Sequence, residues 1–254
     1  MDILSPRQNK ILVLAGKKGR VDVDDLSATF SVSPQTIRKD LNVLCDRQLL
    51  QRVHGGAIVG SGIENVSYEA RRLLAPDAKK AIGKSAAELI PDNSSLLINI
   101  GTTTEQVAHA LKNHRGLLVI TNNVNAVDIM KDFMGVELII AGGKVRRSDG
   151  GIVGGAAVDF INQFKVDYAV IGVSAIDEDG SLLDYDFREV RVAKAIIENA
   201  RHVILVVDTM KFERNAPIRI GHVSKIDTIV MDGGPPQKFQ ESCREHGIRI
   251  VIAD

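Results

Sequence analysis

Six residues between positions 33 and 42 have the types and spacing needed to read a nucleic acid. Gln35, Thr36, Arg38, Lys39 and Asn42 fall on the side of a helix away from Ile37, Leu41 and Leu44, which recur at i, i+4 and i+7. An amide, a hydroxyl and two cations on one exposed face donate to base edges and neutralise backbone phosphates. Ser33 before Pro34 marks where the helix starts: the hydroxyl accepts from first-turn N–H groups, and proline supplies the φ of the first helical position. An ordinary solvated helix face is the bland alternative, and the neighbouring segments weigh against it.

A second set of residues, at the ends of aliphatic runs, suits a small phosphorylated molecule. Gly101-Thr102-Thr103-Thr104 follows Leu96–Ile100 and opens a helix, so it offers backbone N–H groups, hydroxyls and the positive end of a helix dipole. Thr121-Asn122-Asn123 ends the run from Leu117, Gly142-Gly143-Lys144 follows Glu137–Ala141, and Lys211 follows the strand end Val206-Val207-Asp208. Together these favour a phosphate over a bare sugar. Carboxylates at Asp177, Asp184, Asp186 and Glu189 accept from hydroxyls and suit a polyol portion. Each turn alone also serves as an ordinary cap, and Asp179-Gly180 reads as a simple turn. Gly150-Gly151-Ile152-Val153-Gly154-Gly155 lacks the preceding strand and the spacing of a dinucleotide fingerprint, and reads as a flexible turn into a helix.

The elements that must carry these groups fall into two patterns. Ser5–Lys17 has Ile11, Leu12, Leu14 and Ala15 on a helical period and ends at Lys17-Lys18-Gly19, with cations and a glycine where a helix stops. After the short segment Arg20–Val23, Asp24–Phe30 gives a second helix, two or three residues before the third. Leu49–Val53 alternates as a strand and His54-Gly55-Gly56-Ala57-Ile58 supplies a tight hairpin, which makes a wing with Arg52 and His54 near a phosphate or minor groove. Beyond Gly60-Ser61-Gly62 the pattern changes. Short continuous aliphatic runs at 96–100, 117–121, 137–141, 168–174, 202–207, 228–231 and 248–252 alternate with helical stretches, as in a mainly parallel sheet covered on both faces. Ligands of such sheets bind outside the carboxyl ends of the strands.

The expected organisation is therefore α/β: a winged helix-turn-helix over 1–58, a linker and connecting helix over 59–75, and a parallel α/β domain over 76–254. The net charge of zero hides two segments of opposite sign, since residues 1–58 hold nine Lys/Arg against six Asp/Glu and the remainder 23 against 26. No run is long and apolar enough to span a membrane, and the first residues lack a signal peptide's basic start, so a cytoplasmic protein is expected. Cys45 and Cys243 are far apart without metal-ligand spacing and read as small buried hydrophobes; no metal or cofactor is expected. His109 and His114, five apart, do not share a helical face and read as solvated.

Through Ser31–Leu41, His54-Gly55-Gly56-Ala57, Ile100-Gly101-Thr102-Thr103, Thr121-Asn122-Asn123 and Ala141-Gly142-Gly143, the chain resembles the DeoR family of bacterial transcription regulators along nearly its whole length. Ala108-His109-Ala110-Leu111, 149–154, Asp159-Phe160-Ile161 and Arg188-Glu189-Val190-Arg191 are most similar to the members that answer to glycerol 3-phosphate. The resemblance implies a repressor of glycerol uptake and catabolism bound to double-stranded operator DNA and released by glycerol 3-phosphate. It also implies a sensor domain that looks like ribose-5-phosphate isomerase. Two positions depart from the family pattern. Lys39 stands where arginine is usual, keeping charge but losing bidentate geometry, and Glu213 stands where glycine is common, adding a carboxylate near Lys211.

One winged helix reads too few base pairs for a specific site, so a homo-oligomer, dimer or tetramer, is expected. Two rival readings stay open: a repressor answering to another sugar phosphate, and an isomerase-like enzyme using Asp177, Glu189 and Lys211 around a carbonyl. Glycerol 3-phosphate has no carbonyl to isomerise, and a DNA-binding segment suits a switch rather than an enzyme.

Overall fold

The computed structural model describes residues 4–47, 49–58 and 67–254, and internal contacts divide the chain into two compact units, 1–76 and 77–254. The expected linker at 60–62 lies outside the described residues.

In the first unit, α1 (Pro6–Lys18) opens with a capping box in which Ser5 Oγ accepts from Gln8 N–H at 3.2 Å and Gln8 Oε1 from Ser5 N–H at 2.9 Å. After β1 (Arg20–Asp22) come α2 (Val23–Phe30), α3 (Pro34–Asp46), and the hairpin of β2 (Gln51–Val53) and β3 (Gly56–Ile58). The segment read as a short connection after α1 is thus a strand. Asp22 pairs with Gly56 and Val21 with Ala57, so the wing is a three-stranded sheet in the order β1-β3-β2. Only glycine fits at 56, because a Cβ there would stand 2.1 Å from the Val21 carbonyl oxygen. Ile11, Leu26, Ile37, Leu41 and Leu44 close the core beneath the helices. The short α4 (Tyr68–Leu73) follows.

The second unit runs α5 (Pro76–Ala87), β4 (Ser95–Ile98), α6 (Thr102–Ala110), β5 (Leu117–Thr121), α7 (Val124–Met130), β6 (Val136–Ile140), β7 (Lys144–Val145), β8 (Ile152–Val153), α8 (Gly155–Ile161) and β9 (Val166–Ile171). It continues through β10 (Ala175–Ile176), β11 (Ser181–Asp184), α9 (Phe187–Glu198), β12 (Ala200–Val207), β13 (Ile218–His222), β14 (Thr228–Met231), α10 (Gln237–Glu245) and β15 (Arg249–Ile252). Seven strands form one sheet in the order β15-β14-β12-β9-β4-β5-β6, and every pairing in it is parallel. Alternation along β4 divides the core: Leu97 packs with Ile161, Val190 and Phe239 on the α8–α10 side, Leu96 and Ile98 with Ile82, Val107 and Ala126 on the α5–α7 side. Chain order reverses between β4 and β9, which creates a crevice at their carboxyl ends.

Two small antiparallel features were not expected from the sequence. The arm β7–β8 pairs Ile152 and Val153, within the segment read as a flexible turn, just before Gly154 caps α8, with Ile152 N–H bonded to the Asn122 carbonyl at 2.7 Å. The sheet β10-β11-β13 turns the end of the expected 168–174 strand away from the main sheet.

Close packing fixes α5 against α6. A Cβ on Gly83 would lie 2.6 Å from the Gln106 carbonyl carbon, which is backbone and cannot move aside. Gly83→Ala is expected to destabilise the second unit by about 1–3 kcal/mol, read as a lowered urea midpoint. A midpoint equal to the parent's would show that α5 and α6 have slack at this crossing.

Candidate nucleic-acid interface and anion crevice

The third helix presents the expected face. Gln35, Arg38, Lys39 and Asn42 are exposed while Ile37, Leu41 and Leu44 are fully buried. Ser33 acts as N-cap, its Oγ accepting from Thr36 N–H at 3.2 Å and lying 2.9 Å from Thr36 Oγ1, so these two hydroxyls are used first to start the helix. Arg52 and His54 are exposed on the wing hairpin. Sequence reasoning missed Asp40, the acidic residue on the inner side of α3. It is 6% exposed, receives Arg7 Nε at 2.5 Å and Gln8 Nε2 at 3.0 Å, and so fixes the rotation of α3 about its axis relative to α1. Its spacing of three from Ile37 was the available signal.

At the sheet's reversal point, α6 begins with Gly101 as N-cap and no side chain capping its first-turn N–H groups. Thr102 and Thr103 are mostly buried and their hydroxyls have no hydrogen bond among the described residues, while Thr104 Oγ1 is spent on the carbonyls of Asn99 at 2.7 Å and Gly101 at 2.8 Å. Uncapped donors and two unused hydroxyls at a positive helix end are the requirements for an oxyanion site. The end of β12 closes the other side. Gly172, just after β9, lies between α6 and β12: a Cβ there would stand at ordinary contact distance, 3.7 Å from Thr104 Cγ2 and 3.9 Å from the Val206 carbonyl. Asp208 and the half-buried Lys211 follow Val207 on that wall.

Not every residue expected in the crevice lines it. Thr121, Asn122 and Asn123 are completely buried and serve as framework: Thr121 Oγ1 donates to the Ile98 carbonyl at 2.7 Å, Asn122 Nδ2 to the Ile152 carbonyl at 3.1 Å, and Asn123 Oδ1 caps α7. Gly142 and Gly143 are exposed beyond edge strand β6, four strand spacings or about 19 Å from β12. Asp177 lies in the turn of the β10–β11 hairpin, on the far side from Asp184, which returns to bond Ser174 Oγ at 3.0 Å beside the end of β9. Asp184 is thus held near the end of β9, the strand beside β4, whereas Asp177 sits at the other end of its hairpin. Glu213 is exposed. His114 is a packing residue rather than a solvated one, its Nε2 lying 3.0 Å from the Ile90 carbonyl. Cys243 is buried, which pushes its thiol up to about 11, while Cys45 is only half-buried.

Comparison with known proteins decides what this pair of sites belongs to. Residues 7–61 match the DeoR-like helix-turn-helix domain and residues 75–233 the DeoR C terminal sensor domain. The chain belongs to the DeoR family. It is 45% identical over 97% of its length to the glycerol-3-phosphate regulon repressor of Escherichia coli strain K12, covering 98% of that protein. The repressor of the same description from Haemophilus influenzae is 42% identical over 98% of this chain and 97% of its own. Among solved structures, ribose 5-phosphate isomerase A from Methanocaldococcus jannaschii aligns with 54% of each chain at 17% identity and a TM-score of 0.40. Among the described residues no helix is long and apolar enough to cross a membrane.

One wall of this DeoR sensor domain is a charge network that the sequence did not reveal. Arg146, on the arm after β7, reaches Asp149 at 2.6 Å, Asp186 at 3.0 Å and Glu189 at 2.5 Å. Asn125 Nδ2 links the Asp149 carbonyl at 2.9 Å to Glu105 Oε1 at 3.1 Å, so the network runs back to the first turn of α6. Glu189, expected to meet a ligand hydroxyl, is thereby engaged by Arg146. Hydrogen bonds from Arg188, with Arg146 adding to them, hold the Asp186 carboxyl well below its ordinary value of 3.8. A depressed folded value stabilises the domain above the unfolded value, and that contribution is lost as pH falls below about 3.8. Asp186→Asn is therefore expected to lower the urea midpoint at neutral pH and to flatten its decline in acid. Parallel pH profiles for parent and variant would remove Asp186 from the acid response.

Proposed function

We propose that the protein is a cytoplasmic, non-enzymatic repressor of glycerol 3-phosphate metabolism genes that binds operator DNA as a homo-oligomer and leaves it when glycerol 3-phosphate enters the crevice at β4 and β9. The observation that carries this reading is the presence on one chain of an exposed cationic α3 face and an uncapped α6 N-terminus with unused threonine hydroxyls. Similarity to the two regulon repressors supports the choice of effector. Gln35, Arg38 and Asn42 would reach base edges, Lys39, Arg52 and His54 the phosphates, and Thr102, Thr103 and Lys211 the effector's phosphate.

Effector and DNA must favour different arrangements of the subunits, since a ligand shifts only states that it binds differently, and each then weakens the other by the same factor. Titration with a panel of sugar and polyol phosphates while following operator release tests the reading. Release at lowest concentration by glycerol 3-phosphate supports it; release by another sugar phosphate alone keeps the repressor and replaces the effector. Aldose–ketose interconversion by the purified protein would favour the isomerase reading. Sedimentation of a monomer on operator would remove the oligomer.

A further inference from the structure

A glycine pair bounds the arm β7–β8 at each end, Gly142-Gly143 before Lys144 and Gly154-Gly155 after Val153. A Cβ at 142, 154 or 155 would meet nothing within 4 Å, while Gly143 and Gly154 have φ of 144° and 102°, so these pairs serve backbone freedom rather than close packing. Between them the arm is seated against several elements. A Cβ on Gly151 would stand 2.7 Å from Ile100 Cδ1, beside Gly101, and Val124 N–H donates to the Gly150 carbonyl at 3.1 Å. Arg146 crosses to Asp186 and Glu189 at the start of α9, two residues and more beyond the Asp184 that bonds Ser174 near the end of β9. The arm thus joins the ends of β4 and β5 to the first turn of α9.

Two features of this seat oppose each other. Arg146 holds the arm down, with Nη1 on Asp186, Nη2 on Glu189, and Nε and Nη2 on Asp149. Asn122 beneath it is completely buried: its Nδ2 donates to the Ile152 carbonyl at 3.1 Å, but its Oδ1 has no hydrogen-bond partner among the described residues. A buried acceptor without a partner disfavours the closed seat, since lifting the arm gives that oxygen water. We propose that residues 144–153 form a hinged flap that lifts to let the effector in or out and that Arg146 clamps shut. Its donors already engaged by carboxylates, Arg146 is a positioning residue and not a ligand. The proposal rests on the crevice being the effector site. An effector enclosed by the flap leaves only when the flap lifts, so the clamp sets the rate of release.

Amide hydrogen exchange on the full chain, read by NMR, tests the flap without any effector. The amides of Arg146, bonded to the Gly151 carbonyl, and Ile152, bonded to Asn122, are expected to exchange together and faster than those of β9. Arg146→Met should speed both by about tenfold with β9 unchanged, and should speed release of glycerol 3-phosphate by about tenfold with association within about threefold. Operator affinity without effector should be unchanged, and Arg146→Lys should recover part of the slow release. Should Arg146→Met fail to fold, Gly142→Ala with Gly155→Ala decides, because both methyls enter open space: stiffer hinges should slow association and release alike by about threefold at unchanged affinity. Arm and β9 amides that speed up together would make the arm part of the rigid domain and overturn the flap. Parental release rates in a variant whose arm opens faster, or in the alanine pair, overturn the gating. A parent that does not bind glycerol 3-phosphate overturns the effector reading, and the flap then stands or falls on the exchange alone.

Discussion

Alanine at Arg38 is expected to weaken operator binding by about 1–3 kcal/mol, roughly ten- to a hundredfold, and to relax the preference for operator over random DNA. The side chain is exposed on the first two turns of α3, and a guanidinium makes two parallel hydrogen bonds to one base edge. Lys39→Ala, one position on, removes a point charge and should weaken operator and random DNA alike while reducing the salt dependence. Both variants should bind glycerol 3-phosphate as the parent does, because the changes lie on the solvent side of α3. Operator binding at parental strength by Arg38→Ala under matched salt would take α3 out of the groove. Asp40 supplies a control: Asp40→Asn removes charge from the Arg7 contact without touching the outer face, so a loss of operator binding there reports the setting of the helix.

Alanine at Lys211 should give a repressor that holds its operator but no longer lets go. A charge-assisted contact to phosphate is worth about 1.5–3 kcal/mol, so the effector concentration needed for release should rise by about one to two orders of magnitude. Operator affinity without effector should be unchanged, and unphosphorylated glycerol should be inert on parent and variant. Because Glu213 is exposed, its carboxylate does not need to be removed for the site to accept an anion. Calorimetry decides: equal affinity of parent and Lys211→Ala for glycerol 3-phosphate would place the phosphate elsewhere, and tighter binding of another sugar phosphate by the parent would change the effector and leave the repressor standing.

The sequence by itself determined the elements whose signals are local. The apolar spacing of Ile37, Leu41 and Leu44 and the cap at Ser33 placed α3 and its outward face, and continuous aliphatic runs placed all seven strands of the parallel sheet. Membership of the DeoR family was likewise legible in short motifs. Tertiary structure alone decided which strand ends meet. Gly, Thr and Asn after a strand read alike whether they cap, brace or bind, so Thr121–Asn123 and Gly142–Gly143 could not be told apart from Thr102 and Thr103 until burial set the first group apart and strand order the second. Lys79 and Asp40 carried a weak sign, a charge on the buried side of a helix, but a helical period does not name the partner that makes such burial tolerable. The link from Arg146 to Asp186 and Glu189 carried none, because they lie on separate elements joined only when the arm β7–β8 and the start of α9 pack together. Local periodicity follows from the geometry of one chain segment, whereas a charge cluster depends on distances between segments, and the fold sets those distances.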